Sequence, residues 1–181
     1  MTRAELLLVA MDLSEGLELL PWLADRLCLA FGVGVRIAEA PLDIRACLSK
    51  ERSQYDTRAL LTALLRQPGP EYIMGVTSVD LFLPVFTFVI GEACLGGRAA
   101  VVSTYRLLDE RYGLPPDPQR FQERLLKEAV HELGHCHGLV HCLEPRCAMH
   151  KSSVAEDVDL KTEELCSRCE RALAARAGAG R

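Results

Sequence analysis

The chain opens with an apolar run, "AELLLVAMD" at 4–12, of the length and composition of a buried strand. From Leu17 the period changes. "LELLPWLADRLCLAFG" (17–32) spaces its leucines as a helix does, and Gly32 and Gly34 punctuate its end. "VGVRIAEA" (33–40) alternates as a second strand would, and after a polar stretch "YDTRALLTALLRQ" (55–67) returns to helical spacing before stopping at "PGP" (68–70). Three β-rich runs follow at 71–79, 86–93 and 99–107, separated by Pro84 and by Gly96–Gly97. "PPDPQ" (115–119) marks a turn before a long helix, predicted from about Gln119 into a cluster of histidines. An irregular cysteine-rich segment comes next. A last helix is predicted from near Asp159 to a frayed Ala/Gly-rich tail at 172–181.

The order β-α-β-α-β-β-β-α predicts an α/β fold, a mixed sheet packed with helices. No repeat or low-complexity linker interrupts it, so one domain is expected over 1–181. Residues 1–138 would form its sheet-and-helix part, and 139–181 a smaller C-terminal part. Composition adds mainly exclusions. With 181 residues, 49% hydrophobic and 25% charged, the chain can bury a sizeable core like an ordinary soluble protein. A net charge of −4 and a pI near 5.8 lack the basic footprint expected for nucleic-acid binding. Apolar runs such as "FLPVFTFVI" (82–90) are far shorter than the ~20 residues of a membrane-crossing helix. The N-terminal "MTRAELLLVAMDL" closes at Asp12 without a small-residue cleavage site, so it is read as a strand rather than a signal peptide. The expected location is cytoplasmic, and the expected state a monomer.

The chemistry concentrates in "HELGHCHGLVHCLEPRCAMH" (131–150). His131 and His135 are four apart, so on a helix they stack on one face and reach one metal ion. Leu125, Leu126, Ala129, Leu133 and Cys136 gather on roughly the opposite side and would bury against the sheet. Glu132 is angled to touch a water rather than the metal, where a general base belongs. Gly138 suits a helix that must stop abruptly, because glycine tolerates the left-handed conformation. His141 then swings in as a third nitrogen ligand. Three protein ligands leave a fourth tetrahedral position open, the mark of a catalytic zinc site. His137 faces elsewhere, as a solvated or capping histidine, and His150 is a loop residue. Tyr105 and Tyr112 are candidate donors to a transition state, although packing is the ordinary role of each.

Eight cysteines in a cytosolic chain suggest metal rather than disulfides. Cys142, Cys147, Cys166 and Cys169 form the pattern C-x4-C…C-x2-C of a closed four-cysteine zinc site. Such a site would pin the irregular segment 142–165 to the last helix and contribute to folding directly. Cys28, Cys47, Cys94 and Cys136 sit in apolar patterns, as small core residues do.

HExxHxxGxxH with a downstream methionine, here Met149 in "CAM", resembles the metzincin zinc-peptidase signature. The cysteine after the third histidine, the Cys-x-Met and the final CxxC together resemble the archaemetzincin family, as do "GVTSVDL" (75–81) and "FVIGEACLGGRAAVVSTYRL" (88–107). The resemblance spans most of 71–170. It implies a twisted sheet over a cleft, with an antiparallel rim strand within 86–93 that binds an extended peptide by strand addition. It further implies a catalytic zinc on His131, His135 and His141 with Glu132 as base, and a second zinc on Cys142, Cys147, Cys166 and Cys169. Met149 would be a packing support. The implied function is peptide-bond hydrolysis on a peptide or protein substrate. The rival is a zinc-stabilised protein that binds a peptide strand without cutting it.

Overall fold

The computed structural model describes residues 4–14 and 16–179; the first three and last two residues of the stretches discussed above lie outside it. Strand β1 (Glu5–Met11) is followed by α1 (Leu20–Phe31) and β2 (Gly34–Ile37), then by the short β3 (Leu48–Ser49) and β4 (Gln54–Asp56). Next come α2 (Thr57–Leu65), β5 (Tyr72–Thr77), β6 (Leu81–Phe82), β7 (Gly91–Ala93) and β8 (Ala99–Ser103). The α-helices α3 (Pro118–Cys136), α4 (Ala155–Leu160) and α5 (Ser167–Ala179) follow. The main sheet has the order β2-β1-β5-β8-β7, with β7 antiparallel at its edge and the other pairs parallel. The α/β fold expected from the alternation is therefore present. A second small sheet, β3-β4-β6, pairs two short strands from the polar stretch that carried no strand signal with Leu81–Phe82.

The apolar runs of β1 and β8 are continuous because both faces of the sheet are covered. Leu6, Leu8, Ala100 and Val102 face α1 and α3, joined by Leu125, Ala129 and Leu133 from α3. Val9, Met11, Ala99 and Val101 point the other way, onto Leu60, Leu61 and Leu64 of α2. Helix α3 starts where the sequence placed it. Asp117 caps it by accepting from the N–H of Arg120, and Pro118 needs no partner in the first turn.

Three expectations fail. The run 86–93 becomes strand only at 91–93, and the segment before it is a loop. The carbonyls of Phe86 and Thr87 go to side chains instead of a ladder: Arg52 donates to both, and Gln54 also donates to Thr87, while Val89 makes only a single bridge to Leu81. The last helix does not start at Asp159. Helix α4 ends at Leu160, and the backbone beyond it runs alongside 146–148, with the Thr162 N–H donating to Arg146 O and the Ala148 N–H to Glu164 O. Helix α5 also continues through the tail expected to fray, as far as Ala179.

Leu125 is fully buried between α3 and the sheet. Leu125→Ala is expected to cost about 2–5 kcal/mol, read as a lower urea midpoint at unchanged slope. A loss well under 1 kcal/mol would contradict this packing.

Candidate active site

Helix α3 brings His131, Glu132 and His135 to one cavity. Its last turn closes with the Gly138 N–H donating to His135 O and the Leu139 N–H to Gly134 O. That reversal requires Gly138 at φ +83°, in the left-handed region. The chain then returns His141 to the same point. One ring nitrogen from each of His131, His135 and His141 falls within 4.8 Å of the others.

The hydrogen bonds fix the tautomers of two rings. His131 Nδ1 lies 2.8 Å from the carbonyl of Ala148 and His135 Nδ1 lies 2.7 Å from that of Leu139. A carbonyl only accepts, so both Nδ1 atoms carry the proton and both Nε2 atoms present lone pairs. Those two Nε2 atoms face each other at 3.1 Å. Two lone pairs cannot bond one another, so the arrangement calls for a shared cation. Tetrahedral zinc with bonds of ~2.0–2.1 Å would set its nitrogens about 3.3 Å apart, so the donor set fits. Burial holds all three imidazoles below their usual range, with the Lys161 charge adding to the effect at His131 and the neighbouring His135 at His141. Neutral imidazole is the form that ligates.

Glu132 is buried beside them. Its carboxyl is pushed well above the usual carboxylate range by burial and then by the neighbouring Glu128 and Glu92. A carboxyl whose affinity for protons is raised in this way suits a group that accepts a proton and passes it on. The cavity holds about 410 Å³ and is lined by Gly91, Glu92, Glu128, Glu132 and the three histidines, with Phe86, Phe88 and Ile90 on one wall and Lys151 to Ser153 on another. Neither Tyr105 nor Tyr112 lines it. Tyr105 lies under the Arg111 guanidinium and the Tyr112 hydroxyl donates to Arg106 O, so both are packing groups. Met149 is fully buried, its Sδ beneath Gly134 of α3. His137 caps α3 but is not solvated: it stacks on Phe31 and its Nδ1 is 2.9 Å from the Tyr72 hydroxyl. His150 lies in a loop bridge, its Nδ1 bonded to Cys142 O.

The second constellation begins at the next residue. The sulfurs of Cys142, Cys147, Cys166 and Cys169 all lie within 4.8 Å of one another. Cys142 and Cys166 are 3.7 Å apart, where ~2.3 Å bonds to tetrahedral zinc would give about 3.8 Å. Cys166 stands at the start of α5, and the Cys169 N–H holds its thiol down at about 7. Arg168 donates to Cys142 Sγ. Of the scattered cysteines expected in the core, Cys136 is buried there, whereas Cys28, Cys47 and Cys94 are only partly buried.

A peptidase family model, family M54, matches residues 11–175. The archaemetzincin of Pyrococcus furiosus is 43% identical over 156 residues, covering 83% of this chain and 81% of that protein. The chain belongs to the archaemetzincin family. The crystal structure of archaemetzincin from Methanopyrus kandleri superposes with a TM-score of 0.83 at 36% identity, covering 97% of this chain and 96% of that one. A zinc-dependent peptidase from Methanocorpusculum labreanum gives a TM-score of 0.83 at 27% identity, covering 92% and 99%. The chain is thus a zinc metallopeptidase and takes peptide or protein substrates. Among the described residues no helix is long and apolar enough to cross a membrane.

The sequence reading missed the support behind this archaemetzincin cavity. Lys161, its side chain wholly buried, sits 2.8 Å from Glu128 Oε1, donates to His150 O and lies 3.5 Å from His131 Nδ1. Glu128 had a signal, since it stands one turn before Glu132 on the same helical face. Lys161 had none, because its meeting with Glu128 is purely tertiary. Lys161→Met leaves a buried carboxylate unpaired and is expected to cost about 3–5 kcal/mol. Adding Glu128→Gln should recover much of that in thermal unfolding. A single variant as stable as the parent would refute the pairing.

Proposed function

We propose that His131, His135 and His141 hold the catalytic zinc and that Glu132 is the general base of peptide-bond hydrolysis. The reading rests on one observation: three neutral imidazoles converge in the same cavity as a buried carboxyl whose pKa is raised. When bound, zinc supplies Lewis acidity, polarising the scissile carbonyl and making water more acidic. Glu132 takes the proton from the attacking water and delivers it to the leaving amine. The hydrogen bonds from Nδ1 of His131 and His135 keep those rings oriented and their Nε2 atoms basic. β7 stands at the open edge of the sheet, antiparallel to β8, and lines the cavity. An extended substrate would pair along that edge, laying its scissile bond across the histidines. The apolar wall of Phe86, Phe88 and Ile90 would face its side chains.

Cys142, Cys147, Cys166 and Cys169 would hold a second zinc with no open position. Four thiols in contact cannot all ionise without a cation among them. This metal would tie the chain after His141 to the start of α5 and so support the third histidine.

Glu132→Gln is expected to keep its zinc and lose about 10²–10⁴-fold in peptide cleavage. Cleavage at the parent rate would sink the base assignment, and absence of chelator-sensitive cleavage by the parent would favour a binding protein. Metal analysis should find two zincs per chain. Cys166→Ser should lower that number and destabilise the C-terminal region in hydrogen exchange, and a single zinc in the parent would contradict the two-site reading.

A further inference from the structure

Gly91 opens β7, pairing with Val102 of β8, and faces α3 across the cavity edge. Its backbone is not in the left-handed region, so the position does not need glycine's conformational freedom. What it needs is space. A methyl group there would lie 2.6 Å from Glu132 Oε1, 2.8 Å from its Cγ and 2.9 Å from its Cδ, all closer than such contacts allow. The Glu132 carboxylate therefore rests directly against the bare backbone of the edge strand. The obstructed atoms belong to the end of one side chain rather than to backbone. A substituent at 91 would accordingly move Glu132 and leave the sheet in place.

We infer that Gly91 is a positioning residue for the base: the missing side chain lets the Glu132 carboxylate lie between α3 and the strand that receives substrate. This rests on the reading of Glu132 as the base. The neighbouring strand residues do not share the role. Ala93, partly buried, packs against the main core, and Glu92, half-buried in the cavity lining, has its carboxyl raised by burial. Burial on α3 leaves Glu132 little freedom to compensate, since Glu128 stands one turn before it and His131 beside it. A displacement near 1 Å at a catalytic group is enough for about a 10²-fold loss in rate.

The experiment is Gly91→Ala in the metal-loaded full chain, alone and combined with Glu132→Gln. Gly91→Ala is expected to keep its metal content and thermal midpoint, hold KM within about twofold and lose about 10- to 100-fold in kcat. In the Glu132→Gln background the same change should have no further effect, because there is no base left to misplace. Parent-level kcat in Gly91→Ala, or an equal loss in both backgrounds, would overturn the inference. If Gly91→Ala does not fold, removing the obstructed side chain with Glu132→Ala should restore folding, and failure to do so also overturns it. Full cleavage by Glu132→Gln alone would instead overturn the base assignment. Full cleavage by Gly91→Ala beside an inactive Glu132→Gln would remove only the role of Gly91.

Discussion

A buried polar face must find partners within the protein, and α3 is buried on its polar side as well as its apolar one. Leu125, Ala129 and Leu133 lie on the sheet, while Arg124, Glu128, His131 and Glu132 are almost as completely covered. The covering segment supplies the partners. Asp159 pairs with Arg124, which Asp109 also meets from the turn before α3; Val158 O accepts from Lys127, and Lys161 meets Glu128. Ala148 O accepts from His131 on the same side. The segment 148–161 is therefore held by the helix it encloses, and the geometry of the cavity follows from that seam. Removing one charge from such a pair hurts more than removing both, because the partner stays buried without compensation.

The same arrangement explains what the sequence could and could not reveal. Elements with a local cause were legible. The sheet strands β1, β5 and β8 carried apolar runs because helices cover both their faces, and α3 announced itself by the turn "PPDPQ" before it and Gly138 after it. The metal-type clusters were legible too, since their members stand at fixed short spacings. Lys161 and Gly91 were not, because each matters only through a residue far away in the chain. β3, β4 and β6 were hidden for another reason: strands of two or three residues are too short to show an alternation. The loop before β7 misled the reading in the opposite direction. Its Phe, Val and Thr have strand character, but the side chains of Arg52 and Gln54 take the carbonyls that a neighbouring strand would otherwise bind.

The two constellations meet at the bond between His141 and Cys142, and the local backbone shows how tightly they are joined. Cys142 donates its N–H to Met149 O and accepts from His150 at its own carbonyl, so the residue after the third histidine is clamped from both sides. Met149 in turn packs beneath Gly134, between the two histidines of α3. A displacement at the cysteines would reach the histidines through one peptide bond on one path and through a packed methionine on the other. The proposed second zinc thus acts on the chemistry by fixing where a ligand stands.

The order of these parts along the chain also sets the order in which they come into being. The sheet, its covering helices and both histidines of α3 are in place by Cys136, whereas Lys161, Cys166 and Cys169 arrive only near the end. A chain growing from its N-terminus builds its scaffold first and its active arrangement last. The seam behind His131 needs the chain only as far as Lys161, whereas the cysteine cluster next to His141 needs it as far as Cys169 in α5.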